Sequence, residues 1–206
     1  MKLAIANNAP IVSWHRSSGL VDEDRVLVSA ARTESEAAGR LFDKYYEDIF
    51  RYIYHCTLDH GVTEDLTSNV FFCAFRRLGF FQWRRIPFRA WLYRIATNEV
   101  RMHYRKQKRA LALSVRQADA ACPNAASAPD TAAEAVDDYR LLHRALAKLG
   151  EKYRTVIVLR YLEGKPLSEI CEITKKPEGT IKSHLHRGLG QLKVVLVQAG
   201  VTVPGP

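Results

Sequence analysis

LSEICEITKKPEGTIKSHLHRGLGQL, residues 167–192, reads as two helices joined by a tight turn. Ser168 can cap the first helix, with Ile170 and Ile173 pointing inward. Lys175-Lys176-Pro177 supplies the turn, and Ile181, Leu185, Leu189 and Leu192 form the buried stripe of the second helix. The opposite side of that helix presents Thr180, Lys182, Ser183, His184, His186 and Arg187. Short polar side chains at a helix N-terminus can approach phosphates and base edges, and Arg187 can read guanine or grip a phosphate. Lys175 and Lys176 flank the turn as contacts to a sugar–phosphate backbone. Such a pair, ending a small helical bundle, has the pattern of a helix-turn-helix. The competing reading is a hairpin used only for packing, but four basic or imidazole groups in residues 182–187 weigh against it. Gly188 and Gly190 each cost about 1 kcal/mol relative to Ala in a helix interior, so the second helix is expected to weaken or bend there.

Upstream, Tyr139, Leu142, Leu146 and Leu149 define a helix that Gly150 can terminate, and Tyr153, Val156, Ile157, Arg160 and Tyr161 define another, closed by Gly164. Before these lies ALALSVRQADAACPNAASAPDTAAEAV, residues 110–136, with eleven Ala, Pro123 and Pro129. Its second half lacks large apolar residues, so it reads as a flexible linker. A surface helix rich in Ala competes, against the two prolines. Ahead of it, Thr33 and Glu36 have capping-box spacing, and Leu41, Phe42, Tyr45, Tyr46, Ile49, Phe50 and Ile53 repeat with helical period. Thr63 can cap a helix with Leu66, Val70, Ala74, Phe75 and Leu78 on one face. Pro87 breaks the pattern before a helix carrying Phe88, Trp91, Leu92 and Ile95. The expected architecture is all-α: an extension over 1–23, a helical domain over 24–109, the linker 110–136, the helix-turn-helix domain over 137–199 and a tail over 200–206.

Between Arg76 and Arg109 the sequence RRLGFFQWRRIPFRAWLYRIATNEVRMHYRKQKR holds eleven Lys or Arg, one acid (Glu99) and seven aromatic residues. The band nets +10 (11 − 1) while the whole chain nets +9. Concentrated positive charge attracts phosphates through Coulomb forces and counterion release. Interleaved rings can stack on bases that are not paired in a duplex. The alternative is an amphipathic helix whose rings face the core and whose arginines are merely solvated. A pI near 9.5 points the same way as the band, to a polyanionic partner.

Other chemistries fare poorly. Gly164-Lys165 hints at a phosphate loop, but Pro166 stands where Ser or Thr belongs and Leu159 where the first Gly belongs. The seven histidines show no HExxH and no Cys-His ligand spacing, so no metal or cofactor is expected. Asp137 and Asp138 look like a helix N-terminal cluster favoured by the dipole. Glu99 alone does not make the carboxylate cluster a nuclease needs. Cys56, Cys73, Cys122 and Cys171 form no CxxC pair, and reduced thiols in a cytosolic protein are expected. MKLAIANNAPIVSW is too short and interrupted for a signal peptide, and no stretch reads as a membrane span.

A basic-aromatic module and a helix-turn-helix joined by a linker resemble a bacterial RNA polymerase sigma factor, most closely the small extracytoplasmic-function (ECF) group of the sigma-70 family. EDLTSNVFFCAFRRL and PFRAWLYRIATNEVRMHYRKQKR resemble its promoter-melting domain. LAKLGEKYRTVIVLRYLEGKPLSEICEITKKPEGTIKSHLHRGLGQLK resembles its C-terminal domain. The matches cover about residues 24–109 and 138–195. The resemblance implies that Asp65, Leu66 and Asn69 dock on core RNA polymerase. It places Phe80, Phe81, Trp83, Arg84, Arg85, Arg89, Asn98, Arg101 and Arg105 on the opened minus-ten strand of promoter DNA. Thr180, Lys182, Ser183, His184, His186 and Arg187, with Lys175 and Lys176, would face the minus-thirty-five element. Two departures stand out: Ser68-Asn69 replaces the usual Gln followed by an acid, and His184 stands where Arg is common.

The resemblance also sets a reach. Elements about 25 base pairs apart lie ~85 Å apart, and 27 extended residues span at most ~90 Å, but a relaxed coil spans only ~30 Å. A closed form of the free chain, or a bound anti-sigma factor, is therefore expected to hide the DNA surfaces. The rival reading is a helix-turn-helix regulator with a separate sensing domain, which predicts a parallel sheet or a ligand cavity before the linker.

Overall fold

The computed structural model describes residues 18–83, 86–117 and 134–201. All regular structure among them is helical. The first bundle holds α1 (Ser18–Ala30), α2 (Ser35–Thr57), α3 (His60–Arg77), a 3-10 turn (Leu78–Phe80) and α4 (Phe88–Gln117). The second holds α5 (Glu134–Lys148), α6 (Glu151–Ile157) with a π turn (Val158–Leu162), α7 (Leu167–Thr174) and α8 (Glu178–Gln198).

The apolar stripes read from the sequence are largely buried, with Phe42, Tyr46, Phe50, Phe75, Trp91 and Leu142 half-buried at their edges. Leu41, Ile49 and Ile53 of α2 meet Val70 and Ala74 of α3 and Leu92 and Ala96 of α4 in the first core. Leu146 and Leu149, Val156 and Ile157, Ile170 and Ile173, and Ile181, Leu185 and Leu192 build the second, and Leu189 is half-buried beside them. The two cores are continuous, because α7 packs on α4 and α2 meets both α5 and the π turn.

The helix ends differ from expectation in instructive ways. Thr33 is not the cap of α2: the amide nitrogens of Thr33 and Glu34 both bond the Ala30 carbonyl, so Thr33 belongs to the turn closing α1. Thr63 lies inside α3, where its hydroxyl donates to the Asp59 carbonyl at 2.6 Å. Asp59 is the true cap, its carboxylate accepting from the Val62 amide at 2.9 Å. Ser168 likewise lies inside α7, with Pro166 ahead of it. Gly150 precedes α6 more than it ends α5. Arg160 and Tyr161 are exposed, because the π turn rotates them off the stripe of α6.

Gly188 does not weaken α8, which runs on to Gln198. A Cβ there would stand 2.9 Å from Ile157 Cδ1 and 3.1 Å from Tyr153 Cβ, so the missing side chain lets α6 and α8 close. Residues 110–117 and 134–136, read as linker, are helical, and the rest of the linker lies outside the described residues. So do Cys122, Arg84, Arg85, most of the 1–23 extension and residues 202–206 of the tail.

Candidate nucleic-acid interface

Three surfaces collect the residues singled out by sequence. The first is the outer face of α8. Lys175 ends α7 in the left-handed region (φ 56) and turns the chain, leaving Lys175 and Lys176 exposed. Lys182, His186 and Arg187 are exposed on α8, while Thr180 and Ser183 are half-buried. Lys182 Nζ lies 2.7 Å from Glu178 Oε1, a one-turn surface pair that a phosphate can replace. His184 departs from expectation. Its ring meets Tyr153 edge-on at 5.7 Å, and burial with the nearby Lys176, Lys152 and Arg187 charges lowers its pKa. It is half-buried, with part of its ring against α6 rather than turned fully outward.

The second surface surrounds the short connection from α3 to α4. Phe80 is 85% exposed whereas Phe81, next in sequence, is 5% exposed. The 3-10 turn separates their fates: Phe81 N–H closes it on the Leu78 carbonyl, and the Phe81 ring turns inward against Trp83 (5.2 Å), Phe88 (5.5 Å) and Trp91 (4.9 Å). Phe81 is thus a core ring, not a free stacking platform, and Trp83 is half-buried beside it. Helix α1 and the turn after it brace the connection. Arg32 Nη2 donates to the Phe81 carbonyl at 2.9 Å, and the Arg25 guanidinium lies 5.7 Å from the centre of the Trp83 ring. Arg77, Phe80, Phe81 and Trp91 line a cleft of about 440 Å³.

Along α4 the arginines divide. Arg89 is half-buried, its Nη2 2.7 Å from Asp48, so it braces α4 on α2 rather than projecting toward a strand. Asn98 and Arg101, one turn apart and exposed, bond each other at 3.0 Å. Arg105 is exposed and opens onto the third surface.

That surface is a groove of about 720 Å³ between α3 and α4. Asp65, Leu66 and Asn69 form one wall, and Met102, Arg105, Lys106 and Arg109 form much of the other. Asp65 and Asn69 are exposed, but Leu66 is 7% exposed and serves as floor, contrary to its expected role as a contact. Sequence reasoning missed Met102, an exposed apolar side chain on the rim. Its signal was position: it lies one turn past Asn98 inside the basic band. It also missed Arg32, which carries no local signal because its partner is 49 residues away.

Sigma-70 region 2 matches residues 41–110 and Sigma-70, region 4 matches residues 139–192. The chain is 33% identical over 171 residues to the ECF RNA polymerase sigma factor BldN of Streptomyces coelicolor, covering 82% of this chain and 64% of that protein. It is 31% identical over 167 residues to the ECF RNA polymerase sigma factor SigW of Bacillus subtilis, covering 78% of this chain and 89% of that one. The chain belongs to the ECF sigma factors of the sigma-70 family. Among solved structures, this sigma factor shares its fold with CnrH, in complex with the cytosolic domain of CnrY (TM-score 0.63, 22% identity, 85% of this chain and 97% of that one). RpoE of Bartonella quintana, in complex with the anti-sigma factor NepR, is similar at TM-score 0.60 and 23% identity, over 77% of this chain and 95% of that one. The first bundle therefore carries region 2, and the second carries region 4 with α7–α8 as its helix-turn-helix.

No helix among the described residues is long and apolar enough to cross a membrane. No cluster of three or more His, Cys, Asp or Glu suited to a metal ion occurs among them either.

Proposed function

We infer that this sigma factor binds core RNA polymerase and places it at promoters, reading the minus-thirty-five element with α8 and holding the opened minus-ten strand with the α3–α4 connection and α4. Polymerase supplies the chemistry in the cytoplasm; sigma contributes placement and strand capture, with no reaction of its own.

The observation that carries the reading is Phe80. A phenylalanine left 85% exposed within a band of net +10, over a cleft walled by Arg77, Phe81 and Trp91, is set to receive an unstacked base. Stacking of about 1–3 kcal/mol per base offsets the cost of taking that base from the duplex. The exposed Arg101 and Arg105 would follow the strand's phosphates. Lys182, His186 and Arg187 would enter the major groove, and Lys175 and Lys176 would contact its backbone. Asp65 and Asn69, with Met102 beside them, would meet core polymerase; Ser68-Asn69 makes that contact less charged than the family pattern. An anti-sigma protein is a further partner, as in the complex that contains NepR.

Purified core polymerase, tested on genomic fragments with and without this chain, decides the matter. New start sites that need the chain support the reading. Unchanged initiation, with the chain alone footprinting duplex DNA, would replace it with a helix-turn-helix regulator.

A further inference from the structure

An exposed ring on a short connection captures a base well only when its direction is fixed beforehand, because ordering left to the moment of binding subtracts from affinity. Phe81 fixes part of the direction of Phe80 by burying its own ring against Trp83, Phe88 and Trp91. Its main chain fixes the rest. Phe81 leaves the 3-10 turn extended (φ −66, ψ 129), so its carbonyl lies past the turn's closing hydrogen bond. That carbonyl accepts from Arg32 Nη2 at 2.9 Å, a charge-assisted bond to a residue 49 positions upstream. A buried ring and a held carbonyl on one residue set where the preceding residue projects.

The donor stands on a firm footing. The Arg32 and Thr33 amides bond the Ser29 and Ala30 carbonyls at 3.3 and 3.0 Å, closing α1. Helix α1 is in turn seated on α2: Leu27 and Val28 are buried, the Tyr45 hydroxyl donates to Asp24, and Lys44 Nζ lies 2.9 Å from Glu23 and 3.0 Å from Asp24. Two turns before Arg32, the Arg25 guanidinium stands 5.7 Å from the centre of the Trp83 ring, so the connection is held at Trp83 as well as at Phe81. Both cations lie outside residues 41–110, the segment that Sigma-70 region 2 matches.

We propose that Arg32 is a positioning residue for strand capture: from the turn after α1 it holds the Phe81 main chain so that Phe80 stays presented over the cleft lined by Arg77 and Trp91. This rests on the reading of Phe80 as the base-stacking ring. Arg32 acts through Phe81 and Phe80 and touches no base itself. Without it the connection samples other directions, and apparent affinity for the strand falls by the fraction of time that Phe80 is misdirected.

Holoenzyme assembled from core polymerase and the full-length chain tests the brace. With Arg32→Ala, binding to a fork template with an unpaired minus-ten strand should weaken by about 2- to 12-fold, the range that one hydrogen bond spans. Affinity for a minus-thirty-five duplex and helical circular dichroism should stay as in wild type, because Arg32 is exposed and far from any core. Two readouts separate positioning from a direct grip on DNA. The loss should vanish in a Phe80→Ala background, where no ring is left to be positioned. The slope of log affinity against log salt should also stay that of wild type, whereas losing a phosphate contact lowers it by about 1. A loss that persists without Phe80, or a lowered slope, overturns the positioning role. So does an Arg32→Ala holoenzyme that captures the strand as tightly as wild type. A wild type that gains nothing from the unpaired strand instead sinks the strand-capture reading, and the brace with it.

Discussion

Phe80 and Phe81 share a side chain and a neighbourhood, yet one faces solvent and the other sits among Trp83, Phe88 and Trp91. Composition could not separate them, since both lie in the same basic-aromatic run. The 3-10 turn does, by setting their side chains on opposite sides of the connection. Truncation should therefore split binding from stability. Phe80→Ala should leave the urea midpoint of the chain unchanged. It should weaken holoenzyme binding to a fork template with an unpaired minus-ten strand by about 5- to 150-fold, the value of one stacked base. Phe81→Ala should instead lower stability by roughly 3–5 kcal/mol, as a buried aromatic truncation does. Equal losses of stability in the two variants would show that Phe80 is packed in solution and free for no base.

At the level of elements, helical periodicity in α2, α3, α4, α7 and α8 was legible because each buries a single stripe. Leu41, Ile49, Val70, Ile170 and Ile181 all lie where their spacing puts them. Helix ends were less legible. Thr33, Thr63 and Ser168 have capping side chains but sit one or more residues from the true start, because neighbouring turns and Asp59 compete for the same amides. The π turn left no trace in sequence, since one inserted residue hardly alters an apolar run such as Val156–Leu159. The glycines of α8 show how packing overrides propensity. Gly190 has nothing within 4 Å of a Cβ, so Gly190→Ala should raise stability by about 1 kcal/mol. Gly188→Ala gains the same propensity but drives its methyl into Ile157 and Tyr153, and overpacking of about 1–3 kcal/mol should win. Urea unfolding of both variants checks the opposite signs; stabilisation by Gly188→Ala would mean that α6 and α8 are less close than they stand here.

For the whole molecule, two helical units, the first ending in a positive band, could be read from charge and period alone. Their mutual seat could not, because Tyr93, Arg154 and Glu163 look ordinary in sequence and their partners are 70 or more residues away across the bundles. The seat carries a pH dependence. His55 of α2 and His143 of α5 stack across it with ring centres 5.2 Å apart. Burial lowers both pKa values to about 4, with help from Arg51 for His55 and from His55 for His143. Glu163 faces His55 across the same seat and Arg51 faces Glu163. Lys165, held at about 8 by burial, changes charge only above neutrality and leaves the acid limb to the histidines. Separated bundles expose both imidazoles, whose ordinary pKa is about 6.5. The closed chain then binds fewer protons than the open one, so closure is fully supported above pH ~6.5 and is lost progressively as pH falls toward 4. The radius of gyration should accordingly grow between pH 7 and 5 at constant helicity, and His143→Gln should flatten that change. A wild-type chain equally compact at both pH values would mean that the imidazoles stay neutral without the seat, and that closure draws nothing from their burial.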